Sequence, residues 1–82
     1  MARRDKREEA IRKNTKNVRF EELIAWLLSE GFEERKRTGT SHRVFSHPKL
    51  HGNLPLQDDN GKAKSYQVRQ AILAVDKVRE QD

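Results

Sequence analysis

The chain has 82 residues, 33% hydrophobic and 38% charged, with a formal net charge of +5 and no cysteine. This is one small domain with a thin core, and it excludes a disulfide framework and any thiolate metal site. No apolar run approaches the roughly 18 residues that a membrane span needs. The basic N-terminus lacks the apolar stretch of a secretory signal, so a cytoplasmic protein is expected.

The charge is unevenly placed. Residues 1–19 carry eight basic and three acidic side chains, while residues 20–82 balance ten against ten. Residues 1–17 therefore read as a basic N-terminal arm, and Arg3, Arg4 and Arg7 are candidates for phosphate contact. A solvated helix that only aids solubility is the alternative. Glu8 with Arg12 and Glu9 with Lys13 have helical spacing. Ala10 and Ile11 are its only apolar residues, so a helix here is expected to dock weakly, and Asn14, Thr15 and Asn17 end it.

From residue 18 to 82 the chain reads as a single domain. Phe20, Leu23, Ile24, Leu27 and Leu28 form one helical stripe. Asn17 is a candidate N-cap, Glu21 and Glu22 suit the positive end of the helix dipole, and Gly31 is the expected stop. Trp26 falls off the stripe's centre and is expected half exposed. Residues 32–37 then read as an edge strand, Thr38-Gly39-Thr40 as a turn, and Ser41 to His47 as a second strand ended by Pro48. Leu54 and Leu56 mark a third strand, and the stretch from Gln57 to Lys64 reads as a turn cluster. Ser65 is expected to cap a second helix with Val68, Ile72 and Val75 as its stripe. The predicted fold class is α+β, in the order αβββα, with two helices on one face of a three-stranded antiparallel sheet. That is the arrangement of double-stranded-RNA-binding domains.

The segment TGTSHRVFSHP, residues 38–48, is the candidate for chemistry, with two histidines flanking a short alternating run. If Phe45 faces the helices, alternation puts Ser41, Arg43 and His47 on its side and His42, Val44 and Ser46 on the open face. An exposed imidazole exchanges protons near neutral pH and could serve as general acid or base. A surface histidine without a role is the alternative. His42, His47 and His51 do not make a metal set, because an odd separation on a strand sends 42 and 47 to opposite faces. Asp58 and Asp59 could join only by folding back. No glycine-rich phosphate loop or nucleophile–base pair is present.

Four stretches carry a likeness to a known family: VRFEEL at 18–23, Gly31-Phe32, TSHRVFSHP at 40–48 and NGKAKSYQVRQAI at 60–72. Together they run from about Asn17 to Val78. The chain resembles the HicA-type, or YcfA-like, toxins of bacterial toxin–antitoxin pairs. The family's mark is commonly Gly-Ser-His-His, an apolar residue, Phe and then His-Pro. The resemblance implies a small endoribonuclease with a double-stranded-RNA-binding-like fold. It would cleave messenger RNA without a metal or other cofactor, and a HicB-type antitoxin would block it. It implies His42 as the catalytic histidine. Ser41 could then orient the imidazole or the phosphate, and Arg43, Lys62 and Lys64 are candidates for phosphate contact. Three positions depart from the pattern: Thr40 stands at the usual Gly, Arg43 at the second His, and Ser65 where many relatives have Pro. The first two changes motivate the alternative of a catalytically inactive RNA- or antitoxin-binding module with the same fold.

Overall fold

The computed structural model describes residues 6–35 and 42–81, and for residue 42 the backbone alone. These residues form three helices and five strands: α1 (Lys6–Lys13), β1 (Val18–Arg19), α2 (Phe20–Ser29), β2 (Glu33–Glu34), β3 (His42–Ser46), β4 (Leu54–Asp59), β5 (Lys62–Ala63) and α3 (Ser65–Glu80). The sheet is antiparallel throughout, in the order β1-β5-β4-β3-β2. The α+β class stands, with five strands in place of the expected three.

Of the two additional strands, β5 arises within the predicted turn cluster and β1 pairs with it from the chain just before α2. Asn60 and Gly61 both have positive φ, at 53° and 86°, and Asp59 faces Lys62 across them. Two residues with φ > 0 make the type I′ turn whose twist matches a hairpin, and Asn-Gly is its favoured sequence. The Asp58 carboxylate accepts the Gly61 N–H at 2.6 Å. The strands therefore run up to the turn itself, and β5 gives β1 an edge to pair with.

Alternation decides the faces. Val18, Ala63, Leu54, Leu56 and Phe45 are buried and share one face, against which the helices pack. Arg19, Lys62, Asp59 and Pro55 are exposed on the other. Leu23, Leu27, Phe45, Leu56, Val68 and Val75 are fully buried. Each such side chain contributes about 1.5–3 kcal/mol relative to exposure, which is how a chain one-third hydrophobic sustains a core.

Neither long helix starts as its sequence suggests. The N-cap of α2 is Arg19, not Asn17, and that of α3 is Lys64, not Ser65; both are extended and neither makes a side-chain cap. The hairpin tip takes over part of the task for α2: the Phe20 N–H donates to the Gly61 carbonyl at 2.9 Å. The C-terminus of α2 is as expected. Gly31 has φ +95°, its N–H donates to the Leu28 carbonyl, and the Phe32 N–H donates to that of Leu27. That pair of bonds is the Schellman stop, with glycine in the left-handed position.

The N-terminal helix is the largest departure. Ile11 is 2% exposed and belongs to the core, and α1 packs on α2. It covers the flank of α2 that carries Trp26, so Trp26 is fully buried rather than half exposed, while Leu28 on the opposite flank is 51% exposed. The Trp26 indole N–H is buried without a partner among the described residues. The Arg12 guanidinium lies 5.8 Å from its ring centroid. Ionic contacts hold α1 as well. Arg79 donates to both Glu8 oxygens at 3.0 Å and to both Glu30 oxygens at 3.2 and 2.8 Å. Arg12 donates to Glu8 at 2.9 Å and to Asp76 at 2.8 Å. The chain Asp76–Arg12–Glu8–Arg79–Glu30 thus joins α1, α3 and the end of α2 with alternating sign.

Candidate nucleic-acid interface

The histidine segment falls on β3, as its alternation predicts. His42 pairs with Gln57, Arg43 with Leu56, Val44 with Pro55 and Phe45 with Leu54. By parity from the buried Phe45, position 42 shares the open-face register with Val44 and Gln57. The side chain of His42 lies outside the described residues, as do Ser41, Thr40, Arg3 and Arg4.

The backbone that faces His42 is held by a buried amide. Gln67, on the first turn of α3, is 6% exposed, and its Oε1 accepts the Gln57 N–H at 3.1 Å. The pairing of β4 with β5 covers Asp58 and Asp59 only. Gln67 therefore satisfies the first β4 donor beyond the end of β5, which an unpaired buried N–H would make costly.

The motif's other histidine has a structural task. The Lys49 N–H donates to His47 Nδ1 at 3.0 Å, so Nδ1 carries no proton, and Nε2–H donates to the Glu30 carbonyl at 3.2 Å. The ring also stands edge-on to Phe32 at 4.9 Å. His47 thus clasps the end of α2 to the end of β3. A Cβ built on Gly31 would sit 2.9 Å from Nε2.

Arg43 is also committed within the fold. Its Nε and Nη2 donate to the two Glu34 oxygens at 2.7 and 2.6 Å, tying β3 to the edge strand β2. The guanidinium lies 5.8 Å from the ring centroids of Phe20 and Phe45. The Glu34 hydrogen bonds raise its pKa above the usual arginine value. The expected phosphate ligand is therefore a bidentate internal pair over two aromatic faces.

The remaining candidates divide. Lys62 is exposed on the open face, and among the described residues it makes no ion pair; Lys64, half-buried, is the N-cap of α3 and likewise makes none. Arg7 is half-buried on α1. Arg12 and Arg79 are bound up in the ionic chain, and their pKa values are raised, chiefly by the Asp76 and Glu8 hydrogen bonds respectively. Glu8 is held down to about 2, first by the Arg79 hydrogen bonds and then, against burial, by Arg12. Among the described residues no group of three or more His, Cys, Asp or Glu side chains is placed to hold a metal. No helix of the described residues is long and apolar enough to cross a membrane.

Sequence reasoning missed Arg19 and Gln67. The Asn-Gly turn was the available signal for both, because it fixes β5 and with it the β1 register and the point where β4 needs a substitute partner. Comparison with known proteins adds nothing further: no family model, no curated protein and no solved structure matches this chain.

Proposed function

We propose that the chain is a HicA-type toxin, a metal-independent endoribonuclease acting on messenger RNA through His42. Its α2–β2–β3–β4–α3 portion is read as a double-stranded-RNA-binding-like αβββα core, extended by α1 and the β1–β5 pair. The observation that carries the reading is the division of the motif's histidines. Both ring nitrogens of His47 are engaged in holding the fold, which leaves position 42, on the strand register opposite Gln57, for chemistry. RNA brings its own nucleophile. The 2′-oxygen attacks the adjacent phosphorus as its proton passes to a base, and the 5′-oxygen leaves as it takes a proton from an acid. The products are a 2′,3′-cyclic phosphate and a 5′-hydroxyl. His42 serves as the acid or the base, and cationic side chains stabilise the charge that builds on the phosphate oxygens. The partner is a HicB-type antitoxin.

The test is incubation of messenger RNA with the protein in EDTA, beside His42→Ala and His47→Ala. Cleavage with cyclic-phosphate ends by the unsubstituted chain and by the folded fraction of His47→Ala, but not by His42→Ala, is expected. Equal cleavage by His42→Ala overturns the assignment. One observation favours a second reading. Arg43 stands at the family's second histidine and is tied to Glu34, so a binding module without chemistry would show salt-sensitive RNA binding and no cleavage by any variant.

A further inference from the structure

Arg19 and Lys62 sit directly opposite each other on β1 and β5. The Phe20 N–H bond to the Gly61 carbonyl makes 20/61 a hydrogen-bonded position of the ladder, so 19/62 is the non-hydrogen-bonded pair beside it. Such a pair has the closer Cα separation, about 4.5 Å, and its side chains rise side by side from one face. That face is the open one, because the neighbouring pair Val18/Ala63 is buried on the other. Both side chains are exposed, and neither forms an ion pair among the described residues. Asp59, the register neighbour of Lys62 on β4, is not salt-bridged to it either. Like charges directly opposed weaken a sheet, yet three other arginines of this small fold, Arg12, Arg43 and Arg79, have carboxylate partners. The nearby acidic residues leave the pair unneutralised: Glu21 and Asp58 line the same hollow as Arg19 and Lys62 but form no ion pair with them, and the Asp58 carboxylate is bound to the Gly61 N–H.

We propose that Arg19 and Lys62 form a two-point clamp for a backbone phosphate, at the β1–β5 end of the open sheet face. That the phosphate belongs to RNA rests on the ribonuclease reading. Lys62 on β5 and Arg19 on β1 lie two and three strands from β3, about 10 and 14 Å across the sheet from position 42 at the usual strand spacing. The clamp therefore holds a phosphate some nucleotides away from the one that reacts, and it contributes to binding rather than to the chemical step.

The experiment uses the full chain with His42→Ala, so that RNA survives, and two probes: a labelled single-stranded RNA and tripolyphosphate. Arg19→Gln, Lys62→Gln, their combination, and Lys77→Gln as an exposed control on α3 are compared. The double variant is expected to bind RNA at least tenfold more weakly. Its plot of log affinity against log salt is expected to flatten by about 0.7 for each phosphate that it no longer neutralises. Lys77→Gln is expected to change little. Tripolyphosphate is expected to shift the backbone amide signals of residues 18–20 and 60–63, and to lose that effect in the double variant. Unchanged binding of both probes by the double variant overturns the clamp, as does an equal weakening in Lys77→Gln. RNA ignored while tripolyphosphate is still held at 19 and 62 overturns the RNA reading and leaves the clamp standing.

Discussion

Glu8→Gln replaces one buried carboxylate with its neutral isostere and leaves α1 otherwise intact. In the folded chain Glu8 is 3% exposed and, among the described residues, accepts two charge-assisted hydrogen bonds from Arg79 and one from Arg12. Its pKa falls from 4.5 to about 2. A shift of that size corresponds to about 3 kcal/mol at neutral pH, within the range for breaking a buried ion pair by removing one member. The sign follows from proton binding. Between about pH 2 and the unfolded value near 4.5, the unfolded chain binds more protons at this position, so stability rises with pH across that window. The contribution is fully present above it and is lost as pH falls through about 2. Urea unfolding of both proteins, followed by Trp26 fluorescence, measures this directly. At pH 7 the variant should be less stable by about 3 kcal/mol, a fall in Tm of at least 12 °C for a domain of this size. The gap between the two should narrow from pH 5 downwards and close near pH 2. A gap below about 1 kcal/mol at pH 7, or one that does not change with acid, would refute the assignment of α1's docking to this ionic chain.

Gly31→Ala should cost about 1–3 kcal/mol, because the residue is left-handed and its Cβ would crowd His47; thermal melting measures the cost. His47→Ala should lower the melting temperature by removing a half-buried clasp of two hydrogen bonds worth about 1–3 kcal/mol, while the folded fraction keeps its cleavage activity. Arg19→Glu should turn its cross-strand repulsion with Lys62 into an attraction, raising stability by about 0.5 kcal/mol and Tm by about 2–4 °C. RNA binding should weaken in the same protein. Gln67→Leu leaves the Gln57 N–H without its acceptor, so that amide should exchange with solvent at least tenfold faster, as measured by hydrogen exchange.

Much of this architecture is readable in the sequence where the pattern is long. The α2 stripe, the glycine stop at 31 and the alternation around Val44 and Phe45 all give the right element. Short elements are different. β1 and β5 have two residues each, too few for any periodicity, and only the type I′ chemistry of Asn60-Gly61 points to them. The docking of α1 was illegible for another reason. Its buried face holds Ile11 and a glutamate, and a glutamate is a docking residue only when an arginine from the far end of the chain meets it. The same distance effect hid Trp26, whose burial depends on a helix that its own stripe does not reveal. At the site, alternation placed Arg43 beside Phe45 but could not show that Glu34 lies within reach.

The sheet order puts the two-residue strands β1 and β2 outermost and the five- and six-residue strands β3 and β4 toward the middle. A partner that adds a strand to a sheet needs a run of unpaired backbone donors and acceptors along one edge. Here each outermost described strand offers two residues, Val-Arg on one side and Glu-Glu on the other; where β4 runs past β5, Pro55 has no N–H and the Gln57 N–H is already bound to Gln67, and such short, charged or blocked borders resist self-templating. An inhibitor of this protein is accordingly better served by covering a face than by extending the sheet, and its specificity would reside in side chains rather than in main-chain pairing.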